Sequence, residues 1–271
     1  MLILLGELMQ IGFWGPKTSF SHEVALEVFP NDNLVPLNSI QDIFESLITR
    51  EITEAIIPLE NSMGGIVSAT LDELIERDIF IIGEYFLHEK HCFLARQPLD
   101  KIKKIYSRSK TFTQCRNWIE HNAADKELIE VSTNSGAAEQ ASLGFASGAI
   151  ASSLAGDKFG LDIIEKEIND NKANVTRFII ISKRSALPKD KKKTGLIFGI
   201  KDQPGSLFEI LKSFKKFDVN LMRIDSRPSK RKEWECLFFA EIEGNSSQKN
   251  VSGTLAEIKE QASFFKILGS Y

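Results

Sequence analysis

From residue 10 to about residue 182 the chain repeats one unit: a short apolar run, a turn rich in hydroxyl and amide side chains, then a helical pattern. Strands that alternate with amphipathic helices specify an α/β architecture with largely parallel sheets. Gln10–Trp14 is the first strand and Gly15-Pro16 closes it. Lys17-Thr18-Ser19-Phe20-Ser21-His22 then leads into a helix with Val24, Ala25 and Val28 on one face and Ser21 as the expected N-cap. Ser39-Ile40-Gln41-Asp42 reads as a capping box, opening a helix striped by Ile40, Ile43, Phe44 and Leu47. The strand Glu54–Pro58 ends in Leu59-Glu60-Asn61-Ser62-Met63-Gly64-Gly65, where three polar groups precede a glycine pair. Thr70-Leu71-Asp72-Glu73 caps the next helix. Further strands are expected at Ile79–Tyr85, Lys103–Tyr106, Glu127–Val131 and Gly148–Ala151. The last three deliver Ser107 to Thr111, Asn134-Ser135-Gly136 and Ser152-Ser153 to helix N-termini. Free backbone N–H groups and the positive helix end attract anions there. A series of such turns beyond strand ends predicts a cleft for carboxylates.

Asn174-Val175-Thr176-Arg177-Phe178 runs into the apolar Ile179-Ile180-Ile181. Read as the loop before a strand, it leaves Thr176 and Arg177 free to serve one cleft. On its own, so short a motif fits an edge threonine and a surface charge better. With 34 basic against 37 acidic side chains, nothing in the charge calls for nucleic acid. Cys92, Cys115 and Cys236 form no paired framework, which points to the cytoplasm. His88, His91 and Cys92 lack further ligands at workable spacing, so no metal is expected. Met1 to Leu5 is apolar but far too short for a membrane span, and Met9 is an equally good start.

Residues 187–193 are Lys- and Pro-rich and read as a linker. Beyond it come a strand at Leu196–Ile200, a helix at Gly205–Phe217 and a strand at Asn220–Ile224 ended by a turn at Asp225-Ser226-Arg227-Pro228. Trp234, Cys236, Phe238, Ala240 and Ile242 then alternate along a strand. Val251, Leu255, Ile258 and Ala262 stripe a helix, and Phe264–Leu268 closes the chain. The order βαββαβ is that of a ferredoxin-like unit.

With these residues in view, the chain resembles the prephenate dehydratase family in its stand-alone form with a C-terminal ACT regulatory domain. The resemblance runs from about Ile11 to Tyr271. It rests on Gly15-Pro16-Lys17-Thr18-Ser19-Phe20-Ser21, Pro58-Leu59-Glu60-Asn61-Ser62, Gln114-Cys115 and Asn174-Val175-Thr176-Arg177-Phe178. The C-terminal part adds Gly205-Ser206-Leu207, Asp225-Ser226-Arg227-Pro228 and Leu268-Gly269-Ser270-Tyr271. The family pattern has Gly-Thr where Thr18-Ser19 stand, His-Pro-Gln at Arg108-Ser109-Lys110, and Ser-Thr-small at Asn134-Ser135-Gly136.

The resemblance implies a two-lobed α/β domain of the periplasmic-binding-protein type II kind at residues 10–186, followed by a ferredoxin-like ACT domain at 194–271. Lobe 1 would comprise about 10–83 and 172–186, and lobe 2 about 84–171. It implies decarboxylating dehydration of prephenate to phenylpyruvate without a cofactor, since aromatisation drives the reaction. Thr176, Glu60 and Arg177 are the expected catalytic residues, with Glu60 or a water feeding protons to Thr176. Ser19, Ser21, Asn61, Ser62, Ser107, Gln114, Ser135 and Phe178 are the expected substrate contacts. L-Phenylalanine is the expected allosteric inhibitor, held by Pro204, Gly205, Ser206, Leu207, Asn220, Leu221, Asp225, Ser226, Arg227 and Pro228 at an interface between copies in a dimer of dimers. Arogenate dehydration and a non-catalytic amino-acid sensor are the competing expectations.

Overall fold

The strands gather into three sheets in a computed structural model that describes residues 8–185, 192–229 and 236–271. The expected linker falls largely outside these residues, as do Met1 to Leu5 and Trp234. In chain order the elements are β1 (Gln10–Trp14), α1 (Phe20–Val28), β2 (Asn33–Leu37), α2 (Ile40–Thr49), β3 (Glu54–Asn61), β4 (Gly65–Ile66), α3 (Ser68–Glu76) and β5 (Phe80–His88). There follow β6 (Cys92–Ala95), β7 (Lys104–Ser107), α4 (Ser109–Gln114), α5 (Arg116–Asn122), β8 (Glu127–Glu130), α6 (Asn134–Leu143), β9 (Ser147–Ala151), α7 (Ser153–Phe159), β10 (Asp162–Glu165) and β11 (Val175–Ser182). The chain ends with β12 (Lys193–Gly199), α8 (Ser206–Lys216), β13 (Leu221–Pro228), β14 (Cys236–Glu243), α9 (Lys249–Gln261) and β15 (Phe264–Ser270).

The first sheet has the order β2-β1-β3-β11-β5, with β4 folded back onto β3. The second has the order β10-β6-β9-β7-β8. The chain leaves the first sheet after His88 and returns to it at Val175, so two crossovers connect two α/β sheets. The third sheet has the order β13-β14-β12-β15, the antiparallel arrangement of a βαββαβ unit. Two compact units result. One contains the chain up to Ile43, Ile56–Val67 and Tyr85–Phe178; the other contains Phe44–Ala55, Ser68–Glu84 and Ile179–Tyr271.

Strand alternation explains the core of the second sheet. Phe93, Ala95 and Ile150 face one layer with Ile105, Trp118 and Ile119, while Cys92, Leu94, Ala149 and Ala151 face the other with the alanines of α6. A sheet buried on both faces needs unbroken apolar strands, which β6 and β9 supply. Burial pushes the Cys115 thiol up to about 12, so it stays protonated and inert at neutral pH.

Several elements differ from the sequence-based expectation. β2 carries Pro36 and pairs only with β1, an edge position where the missing N–H is tolerated. The short β6 and β10 pair with each other antiparallel. Ser19 rather than Ser21 is the N-cap of α1, and α3 begins at Ser68, with Thr70 buried inside it. Asp225 to Pro228 do not turn. They continue β13 in register with β14 as far as Pro228 opposite Cys236.

Within the second unit, the third sheet packs backbone to backbone against β5. Gly269 holds φ +134°, and a Cβ there would collide with the Ile81 carbonyl. Lys193 Nζ bonds Glu84 at 2.7 Å, and Lys266 Nζ donates to the carbonyls of Leu74 and Arg77. Gly269→Ala should therefore destabilise the fold by about 2 kcal/mol or more, through strain and a backbone clash. Chemical unfolding of the two proteins measures it; equal stability would contradict this packing.

Candidate active site

Thr176 is not in a loop. It is the second residue of β11, with 4% of its surface exposed, at the end where the chain re-enters the first sheet. Its hydroxyl accepts from Asn61 Nδ2 at 2.8 Å and donates to Glu89 Oε1 at 2.5 Å. Asn61 Nδ2 also donates to Asn174 Oδ1 at 2.8 Å, and Asn174 Nδ2 donates to Glu89 Oε2 at 3.1 Å. Four side chains from three segments thus close a hydrogen-bonded circuit. The loop geometry follows from the same groups. Asn61 Oδ1 accepts from the N–H groups of Met63 and Gly64, an Asx turn that ends β3. Ser62 N bonds Val175 O, Val175 N bonds Ser62 Oγ, and Glu89 N bonds Asn174 O.

Several expected residues lie elsewhere. Alternation along β11 sends Arg177 to the sheet face opposite Thr176, where its guanidinium lies 5.8 Å from the Phe86 ring centroid. The expectation that the two serve one cleft rested on a loop that is a strand. Glu60 precedes Asn61 on β3 and pairs with Ile66, so it faces away from the circuit. The carboxylate beside Thr176 is Glu89, which the sequence did not single out. Phe178 is core, 2% exposed. Ser107 is fully buried and donates to Ile150 O at 2.8 Å, a support for the second sheet. Ser62 holds the Val175 backbone, as above.

The first turn is a built support. Thr18, where the family pattern has glycine, sits at φ +80°. A β-branched residue there costs about 1–3 kcal/mol of strain. Thr18 Oγ1 donates to Ser135 Oγ at 2.7 Å, Ser135 Oγ donates to Lys17 O, and Ser152 Oγ donates to Thr18 O at 2.8 Å. Ser135 therefore braces the first turn against α6. Ser19 Oγ is occupied in accepting from His22 N and donating to Trp14 O. Ser21 is 5% exposed in the first turn of α1.

Gln114, at the end of α4, is 9% exposed. Its Oε1 lies 3.0 Å from His91 Nε2, whereas its Nε2 is buried with no partner among the described residues. Phe20 from α1 packs on the same imidazole at 5.4 Å. Asn169 ties His91 to the circuit by accepting from His91 N and donating to Glu89 O. An unpaired buried amide donor costs about 1–3 kcal/mol unless something accepts from it. Lys110, in the segment that departs from the family pattern, brings its ammonium to the Gly64 turn: a Cβ built on Gly64 would lie 3.3 Å from Nζ. The region thus offers the Gln114 amide donor and the Lys110 cation to an anionic ligand, beside a carboxylate.

Of the residues expected to hold phenylalanine between copies, Leu221, Asp225, Ser226, Arg227 and Pro228 lie on β13. β13 is extended, so Asn220 and Arg227 lie about 23 Å apart at 3.3 Å per residue. Gly205 caps α8 at φ +84° with open space around its Cβ position, so the backbone conformation, not crowding, favours glycine there. Arg227 Nη2 bonds Asp72 at 2.6 Å, and its Nε is buried without a partner among the described residues.

Two imidazoles near the site are held neutral. Burial, then Lys17 and Lys158, lowers the His22 pKa, and its Nδ1 accepts from Thr18 N at 3.1 Å. Burial likewise lowers His91. Folded values below the unfolded value of about 6.5 leave stability complete above that pH and erode it as pH falls through the folded values. NMR titration should find both rings titrating below an exposed imidazole, with thermal stability declining from pH 7 to pH 5. Either ring titrating at or above 6.5 would contradict this environment.

A family profile described as prephenate dehydratase matches residues 11–186. The bifunctional chorismate mutase/prephenate dehydratase of Aquifex aeolicus is 37% identical over 98% of this chain and 74% of its own length. The chloroplastic arogenate dehydratase/prephenate dehydratase 2 of Arabidopsis thaliana is 28% identical over 98% and 73%. The structure of an Arthrobacter aurescens prephenate dehydratase in complex with L-Phe superposes with a TM-score of 0.88 at 29% identity, covering 97% of this chain and 89% of that one. A structure described as a novel type of quorum-quenching acylase, GqqA, also superposes at 0.88, with 26% identity and 97% of both chains covered. The profile match, the extent of the Aquifex likeness and the intact Asn61–Thr176 pair lead to one statement: the chain belongs to the prephenate dehydratase family, a family of carbon–oxygen lyases.

Proposed function

We propose that this enzyme converts prephenate to phenylpyruvate, carbon dioxide and water. The observation that carries the reading is the buried Thr176 hydroxyl, fixed between an amide donor and a carboxylate. Prephenate carries two carboxylates and a ring hydroxyl that departs as water. Lys110, the unpartnered Gln114 Nε2 and the Ser21 hydroxyl supply a cation and polar groups for the carboxylates. Thr176 supplies the proton at the leaving oxygen. Aromatisation drives the step, so the protein's work is orientation and proton delivery.

Incubating the purified chain with prephenate should yield phenylpyruvate. Thr176→Val, nearly isosteric and without the hydroxyl, should lower kcat by about 10²-fold or more. Wild-type turnover in that variant would remove Thr176 from the chemistry. The plant relative named for both arogenate and prephenate dehydration favours a second reading, in which an amino group replaces the keto oxygen of the substrate. Comparing kcat/KM for prephenate and arogenate separates the two.

The third sheet, in this reading, is an ACT domain that binds L-phenylalanine between copies of the chain, with catalysis inhibited as a result. The L-Phe complex of the Arthrobacter relative supports it. β13 is an edge strand that exposes Met222 and Ile224, a surface suited to a neighbouring copy in a dimer of dimers. Arg227, with its buried free Nε, is the natural partner for an amino-acid carboxylate. Three free cysteines support a cytoplasmic setting. Phenylalanine should raise the melting temperature and lower kcat, and Arg227→Ala should weaken both effects. If the amino acid changes neither property of the wild-type protein, the regulatory reading fails.

A further inference from the structure

We propose that Glu89 is the proton reservoir behind Thr176, reaching the substrate only through the Thr176 hydroxyl; this rests on the dehydratase reading above. A threonine hydroxyl has one proton and two lone pairs. Asn61 Nδ2 occupies one lone pair at 2.8 Å. With Glu89 ionised, the single Thr176 proton points at Glu89 Oε1, 2.5 Å away, and none is left for a substrate. With Glu89 protonated on Oε1, that oxygen donates to the second lone pair of Thr176. The Thr176 proton is then released to point into the site. The rest of the circuit stays as it is, because Glu89 Oε2 continues to accept from Asn174 Nδ2 at 3.1 Å. One proton on Glu89 thus decides whether Thr176 can donate.

The step balances. The ring-to-carboxylate C–C bond breaks as carbon dioxide leaves, and its electron pair enters the ring. The ring C–O bond breaks with its pair on oxygen, which takes the Thr176 proton and departs as water. Glu89 refills Thr176 and recovers its own proton from solvent before the next turnover. Glu60 cannot take this part, because it faces away from the circuit. The charged and titratable groups around Glu89 are His91, two residues on, and Glu23 on α1, both in electrostatic contact with it. Lys110 on α4 faces the Gly64 turn, and Lys90 is engaged by Glu167 at 2.5 Å. His91, which is held neutral, can affect only the acidic side of a pH profile.

The test is kcat and KM for prephenate against pH, in the wild-type chain, Glu89→Gln, Glu89→Ala and Thr176→Val. Glutamine can donate from Nε2 to Thr176 and accept from Asn174 on Oε1, which preserves every hydrogen bond but supplies no acidic proton. Wild-type kcat should fall on the alkaline side with a single ionisation. In Glu89→Gln, kcat should drop by about 10²-fold, KM should stay within about threefold, and the alkaline limb should vanish. Wild-type kcat in Glu89→Gln overturns the proposal; so does a loss confined to Glu89→Ala, which marks a hydrogen-bonding support only. Melting curves check that the variants fold. Should Glu89→Gln not fold, Thr176→Val decides: its residual rate must lack the alkaline limb, and a persistent limb overturns the proposal. A wild-type chain that forms no phenylpyruvate refutes the dehydratase reading itself before any variant is compared.

Discussion

The bond from Asn61 Nδ2 to Thr176 Oγ1 is the contact on which the site depends. It joins the end of β3 to the start of β11, residues 115 apart in sequence, and fixes which lone pair of the hydroxyl is occupied. Both donors of the Asn61 amide and its oxygen are in use, so the side chain has no freedom to turn. The bonds from Ser62 N to Val175 O and from Val175 N to Ser62 Oγ hold the same two strand ends at the distance the amide spans. Fully satisfied polar networks in low dielectric are rigid, and removing one member strands the others. Here that rigidity serves aim: the hydroxyl is oriented before a substrate arrives.

A second constraint lies in the first turn, where Thr18 holds a backbone conformation that favours glycine. Three hydroxyls share the cost. Thr18 bonds Ser135, Ser135 bonds the Lys17 carbonyl, and Ser152 bonds the Thr18 carbonyl. The substitution is therefore not isolated, since it brings a hydroxyl that glycine lacks and uses it to tie α6 to the turn. Hydroxyls that read in the sequence as ligand donors are, at Ser19, Ser107 and Ser135, the struts that shape the walls.

The alternation of apolar runs and helices was enough to read the α/β plan and the C-terminal βαββαβ order from sequence. It missed β2 because Pro36 interrupts the pattern, and β10 because an edge strand of four residues with acidic ends looks like a loop. The Asn61–Thr176 pair was legible from the motifs that carry it. Glu89 was not. It stands in a polar stretch, His88-Glu89-Lys90, with no periodicity or motif, and it meets Thr176 only because β11 returns 87 residues later. Glu60 drew attention by its neighbour Asn61, yet period-two alternation guarantees that two consecutive strand residues face apart. The same rule separates Thr176 from Arg177. Adjacency in a motif is evidence of a shared strand, and on a strand it argues against a shared face.

Charge bookkeeping at the site bears on why a carboxyl group stands beside the threonine at all. A substrate carboxylate about 5 Å from an ionised Glu89 would cost about 3 kcal/mol at an effective dielectric of 20. That is a large penalty in a region whose other polar groups are mostly neutral amides and hydroxyls. Lys110 at the Gly64 turn offsets part of it, and a proton on Glu89 removes it altogether. A fold with the same outline is also found in a protein described as an acylase, which means that the outline does not choose the reaction. The orientation of one hydroxyl proton, set by one amide and one carboxyl group, is a choice made at the level of atoms.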